Sequence, residues 1–202
     1  MGIVYRARQQ RPDRLVALKV IAPELAGDDA FRARFERESQ LAASIEHPNV
    51  IPIYAAEDEG GVLYIAMRYV EGTDLGELVR GYGGLAPARA VRLIAQVAGA
   101  LDAAHRAGLV HRDVKPANVL VAHPGPDESA YLTDFGLTRS VRSQSGMTRA
   151  GMVVGTYDYM APEQFKGTGV DARTDVYALG CVLYESLTGV LPFPRDTDAA
   201  RC

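Results

Sequence analysis

With 202 residues, 48% of them hydrophobic and 23% charged, the chain holds enough apolar material for one core or two small lobes. A formal charge of −3 with no basic cluster excludes a general attraction to nucleic acid or to an anionic membrane. No apolar run approaches the roughly 20 residues of a membrane span, and the N-terminus lacks a charged-then-apolar leader, so a cytoplasmic protein is expected. Cys181 and Cys202 have no metal-type spacing and imply neither a disulfide framework nor a zinc site.

Strand-like runs rich in Val, Ile and Tyr come first, at 15–21, 50–55 and 62–70, with 57–61 as a turn between the last two. Between them 28–46 reads as one helix, acidic at its start and stopped by Pro48. The texture turns helical from Glu71. Pro87 suits a first helical turn, Val91, Ile94, Ala98, Leu101 and His105 follow at helical spacing, and Gly108 suits a stop. The stretch 122–130, with Pro124, Gly125 and Pro126, is a turn between short strands, and 138–155 reads as a mobile loop. A last helix is expected over 172–187, apolar on nearly all sides and therefore buried. The pattern predicts an α+β protein with a β-rich unit at 1–70 and a mainly helical unit at 71–202.

The chemistry-bearing residues are concentrated. His111-Arg112-Asp113-Val114-Lys115-Pro116-Ala117-Asn118 is followed, sixteen residues after Asn118, by Asp134-Phe135-Gly136. Two acids, an amide and a lysine in two short loops suit a phosphorylated nucleotide and a hard divalent cation, which wants oxygen ligands. Only Lys19, Lys115 and Lys166 are lysines, and two of these fall in such motifs, where a compact point charge differs from arginine's planar fork. On the 28–46 helix, Phe31, Phe35, Ala42 and Ile45 form an apolar stripe with Glu38 at its centre. A carboxylate facing a core needs a partner, and Lys19, closing the strand Val16-Ala17-Leu18-Lys19, is the expected one.

In this order the motifs resemble a protein kinase catalytic core, of the kind found in bacterial eukaryotic-like serine/threonine kinases. The likeness rests on the run from Gly108 to Asn118, on Asp134-Phe135-Gly136 and on Met160-Ala161-Pro162-Glu163-Gln164. It implies a bilobal kinase fold that transfers phosphoryl groups from ATP, with Mg2+ or Mn2+, to Ser/Thr hydroxyls of protein substrates. Asp113 would accept the hydroxyl proton, Lys115 neutralise charge near the γ-phosphate, and Lys19, held by Glu38, grip the other phosphates. Asn118 and Asp134 would hold the metal. Gly2, Val4, Ala17, Met67, Arg68, Val70, Leu120 and Thr133 match nucleotide-pocket positions, and Asp74 a ribose contact. Where Arg68 stands the family commonly has an acid, but the contacts there are main-chain. Thr148 and Thr156, with Arg112 as a phosphate clamp, resemble regulatory positions. Asp175 would stiffen the His111-Arg112 turn, and Glu163 would close the activation segment. The family carries an arginine partner for Glu163 in helices that this sequence does not match, and most of its glycine-rich loop is also unmatched, Gly2 being the last glycine. A fragment truncated at both ends, weak or inactive by itself, is therefore expected. The alternatives are a non-catalytic kinase-like binding module and a small-molecule phosphotransferase. Charge and hydropathy lead to the expectation of no nucleic-acid partner and no membrane contact from this segment, while the resemblance is compatible with a homodimer during activation and a membrane-anchored parent protein.

Overall fold

The computed structural model describes residues 2–123, 127–135 and 157–193. A four-stranded antiparallel sheet in the order β1-β2-β4-β3 comes first, built from β1 (Ile3–Gln10), β2 (Asp13–Val20), β3 (Ile53–Glu59) and β4 (Val62–Arg68). The β3–β4 turn is shorter than the sequence suggests. Gly60 and Gly61, at φ 60° and 87°, make the two-residue turn themselves, so Glu57, Asp58 and Glu59 remain in the strand. Strand β1 lies on the sheet edge with most side chains exposed, so its brief Tyr5-Arg6-Ala7-Arg8 alternation marks no buried face and the strand escapes a reading based on apolar runs.

Helix α1 (Pro23–Ala26) leads into α2 (Asp29–Ala43), whose N-cap Asp28 accepts a 3.0 Å bond from the Phe31 N–H. Phe31, Phe35, Glu38 and Ala42 are buried along one side of α2, and the helix packs on β3. It stops earlier than Glu46: the Ser44 hydroxyl donates to the Leu41 carbonyl at 2.8 Å, competing with the helical ladder.

A second sheet, β5-β6-β7, joins β5 (Gly72–Asp74), β6 (Val119–Ala122) and β7 (Ser129–Leu132). It packs against α3 (Leu75–Tyr82) and α4 (Pro87–Arg106), with α5 (Pro162–Lys166) and α6 (Ala172–Thr188) following and α6 packed on α4. The buried face of α4 is Ala90, Leu93, Ile94, Val97, Ala100, Leu101 and Ala104, while Val91 is 57% exposed. The alanines let α4 approach β7 and α6 closely, which places the seam one residue from where the larger side chains alone suggest it. Helix α6 is buried on one side through Thr174, Asp175, Ala178, Cys181, Val182 and Ser186. Its Val176 is 61% exposed, so it is not apolar-packed all round among the described residues.

The small lobe is fastened to the helical one by the segment after α2. Ile51 N–H donates to Leu132 O at 3.0 Å, Leu132 N–H to Asn49 O at 2.7 Å, and the Asn49 amide donates to Gln96 Oε1 and Ala130 O, both at 2.8 Å. The fold is thus a small antiparallel-sheet lobe joined to a helical lobe.

Candidate active site

Strand register builds one wall of the cleft. Val4 lies opposite Lys19, Lys19 opposite Ile65, and Ala17 opposite Met67, so Val4, Ala17, Lys19, Ile65 and Met67 share one face. A Cβ on Gly2 would meet the Val20 carbonyl oxygen at 2.0 Å, so only glycine allows this approach of β1 to β2. Arg68 points to the other face, its guanidinium 5.1 Å above the Tyr131 ring, and its N–H donates to Pro52 O at 2.9 Å. On the opposite wall Asp74 pairs with Leu120, and Thr133 donates to Met67 Sδ at 3.7 Å. Asp74 also caps α3, accepting from Glu77 N–H at 2.9 Å. Val70 is partly buried on the chain between the two walls.

The turn after α4 is held in a costly conformation. Arg112 has φ 64°, a region that costs a side-chain-bearing residue about 1–3 kcal/mol, and Asp134, after β7, shares it at φ 60°. Asp175, fully buried on α6, offsets this by accepting the N–H groups of His111 at 2.8 Å and Arg112 at 2.7 Å. His105 Nε2 lies 2.7 Å from the same carboxylate. His111 is buried with its ring 4.9 Å from that of Phe135, and burial pushes its pKa down. Its partners fix its form as neutral. Nε2 faces the Thr133 carbonyl at 3.0 Å and so carries the proton, while Nδ1 accepts the Asp113 N–H at 3.2 Å.

Asp113 follows, with Lys115 Nζ 2.9 Å from its Oδ2. The Asn118 amide donates to the Asp113 carbonyl at 2.7 Å and to Oδ2 at 3.2 Å, which leaves its oxygen as the amide atom able to ligate a cation. The Thr133 N–H donates to Asn118 O at 3.0 Å, so the open end of the β6–β7 hairpin sets Asp134 beside Asn118.

Lys19 and Glu38, paired in the sequence reading, are not paired here. Lys19 Nζ is 2.7 Å from Asp134 Oδ1, and Glu38 Oε1 is 3.4 Å from an Arg112 guanidinium nitrogen. The half-buried Lys19 and the buried Glu38 are each paired elsewhere, and Glu38 still bears the cost of burial: desolvation lifts its pKa against the pull of Arg112, Arg37 and Arg34.

The protein kinase domain profile matches residues 1–201. The chain belongs to the protein kinase family. It is 47% identical to the serine/threonine-protein kinase PknD of Mycobacterium tuberculosis over 197 residues, covering 98% of this chain and 29% of that protein. PknE of the same species is 46% identical, with 97% and 34% covered. The crystal structure of the M. tuberculosis PknI kinase domain superposes with a TM-score of 0.78 at 35% identity, over 98% of this chain and 73% of that one. The chain thus spans about a third of the length of these curated relatives.

Within this kinase domain, Glu163 has a partner that the sequence did not suggest: the Thr174 hydroxyl donates to it at 2.8 Å. Two residues not singled out also reach the His111-Arg112 turn. His105 does so through Asp175, and Gln164 by donating to the Arg112 carbonyl at 3.0 Å. Helical periodicity had absorbed His105. Gln164 stands three residues after the N-cap Ala161, but alanine has no side-chain acceptor, so the Ser/Thr-x-x-Gln signature that would have marked it is absent. Thr148, Thr156 and Gly136, with the predicted loop 138–155, lie outside the described residues. Among the described residues no helix is long and apolar enough to cross a membrane.

Proposed function

We propose that this chain transfers the γ-phosphoryl group of ATP to serine and threonine hydroxyls of proteins. Supporting the reading above all is the Asp113, Lys115 and Asn118 cluster, in which one carboxylate is held by a cation at 2.9 Å and by an amide at 3.2 Å. An oriented carboxylate can take the hydroxyl proton as the oxygen attacks, and the neighbouring lysine can offset charge on the transferring group. Lys19 would serve the other phosphates, and the face carrying Val4, Ala17 and Met67 would cover the adenine, whose polar edge suits the main chain from Arg68 to Val70.

Among the described residues no group of three His, Cys, Asp or Glu could hold a metal alone. The oxygen donors of Asn118 and Asp134, set side by side, fit Mg2+, which takes one or two protein oxygens and completes its shell with phosphate and water. Asp134 and the Asn118 amide oxygen would hold it. When bound, the ion supplies positive charge against the phosphates. Glu38 would then exchange Arg112 for Lys19 as Asp134 leaves Lys19 for the cation.

The test uses the full-length protein with γ-labelled ATP, Mg2+ and peptides differing only in Ser, Thr or Tyr. Label should appear on Ser and Thr peptides. Nucleotide binding without any transfer would instead indicate a non-catalytic kinase-like module.

A further inference from the structure

Both backbone groups of Arg112 are held by side chains from other elements. Asp175 on α6 takes its N–H at 2.7 Å, and Gln164 on α5 donates to its C=O at 3.0 Å. We propose that Gln164 is a positioning residue for phosphotransfer, tying the catalytic turn to the start of α5. The proposal rests on the activity proposed above.

The Arg112 carbonyl and the Asp113 N–H belong to one planar peptide unit, so pinning one edge orients the other. His111 Nδ1 accepts the Asp113 N–H at 3.2 Å, and Gln164 holds the carbonyl on the opposite edge. The plane is therefore clamped on both sides immediately before the Asp113 side chain. Without Gln164 it could rock about the His111 contact, and Asp113 would swing with it.

The other end of the Gln164 amide is committed as well. Its Oε1 accepts the Ala161 N–H at 3.0 Å, half of a capping box at the start of α5. One side-chain amide thus uses its acceptor on Ala161 and its donor on Arg112, which fixes its orientation. Ala161 is buried, so the segment it anchors cannot shift without pulling on the amide. Gln164 also shares a small hollow with Arg112, Asp113, Tyr159 and Asp175.

A helix cap alone does not require glutamine, because glutamate serves equally at the third helical position. A carboxylate there still accepts from Ala161 but cannot donate to Arg112. Gln164→Glu therefore separates the two functions, and Gln164→Met removes both.

The experiment compares full-length wild type, Gln164→Glu and Gln164→Met by site-resolved amide exchange and peptide kinetics. In Gln164→Glu the Ala161 amide should stay protected while the Asp113 amide exchanges about tenfold faster. Its kcat should fall about tenfold, with KM for MgATP within about twofold. In Gln164→Met both amides should lose protection. Unchanged Asp113 exchange and kcat in Gln164→Glu would reduce Gln164 to a cap and overturn the proposal. If Gln164→Glu does not fold, wild-type-like Asp113 exchange in Gln164→Met overturns it equally. If wild type transfers no phosphate, the proposed activity falls, while the exchange data still decide whether Gln164 ties the turn.

Discussion

Glu38 on α2 and Arg112 on the turn after α4 face each other at 3.4 Å, so the small lobe's helix is linked to the helical lobe through a buried carboxylate. Arg112 adjoins Asp113, and Glu38 lies on the stripe that holds α2 against β3. The contact therefore couples the position of α2 to the turn where the chemistry is proposed.

Glu38→Gln should stabilise the fold at neutral pH while reducing phosphotransfer. Burial raises the Glu38 pKa above its ordinary 4.5. A raised folded-state pKa favours the fold in the protonated form; that contribution is complete below about pH 4.5 and is lost as pH rises through the raised value. Tm of the variant minus Tm of wild type should thus grow from pH 4.5 to pH 7. A difference that shrinks over this range contradicts the assignment. Activity should fall, since an amide cannot hold Lys19 as an ion pair.

His111 carries the opposite sign. Its folded-state pKa lies below the ordinary 6.5, so its contribution is present above 6.5 and is lost as pH falls from there toward the lowered value. Protonation would also replace the acceptor that Asp113 N–H needs with a donor. His111→Asn, which keeps an acceptor near the Nδ1 position, should cost about 1–3 kcal/mol at pH 7.5. It should lose less than wild type between pH 7 and pH 5 in urea unfolding.

Asp175→Ala should cost about 3–5 kcal/mol, because three donors converge on a carboxylate with no exposed surface. Chemical denaturation measures this directly. The same variant should release the left-handed Arg112 and lower kcat more than the affinity for ATP.

The Glu128 side chain has no exposed surface and is paired with Arg89 at 2.9 Å and Arg92 at 3.2 Å. The two arginines are not equivalent, being 19% and 51% exposed. Arg89→Ala should cost about 3 kcal/mol or more, as the loss of a buried partner, and Arg92→Ala less than about 1 kcal/mol. Equal losses in urea unfolding would contradict this division.

Burial and register were legible in the sequence; pairings across the fold were not. The stripe of Phe31, Phe35 and Ala42 placed Glu38 inside, and alternation placed Ala17 and Lys19 on one face, because both properties are local. The partner of Glu38 depends on where α2 sits against a turn more than seventy residues away, and no spacing encodes that distance. Glu163 is similar, since Thr174 reaches it from the start of α6. The fold class followed from β-rich and helical textures in succession. Strand β1 did not, because an exposed edge strand presents no buried apolar run to read. The α4 stripe was misplaced by one residue because small alanines pack deeper than the bulkier Val91.

Asp113→Asn in the full-length protein tests the central claim most directly, in single-turnover transfer from MgATP to a serine peptide. With the nucleotide contacts intact, the affinity for ATP should stay within about twofold of wild type while transfer slows by about 10²–10⁴-fold. A variant that transfers as fast as wild type would contradict the role of Asp113 and the proposed reaction with it.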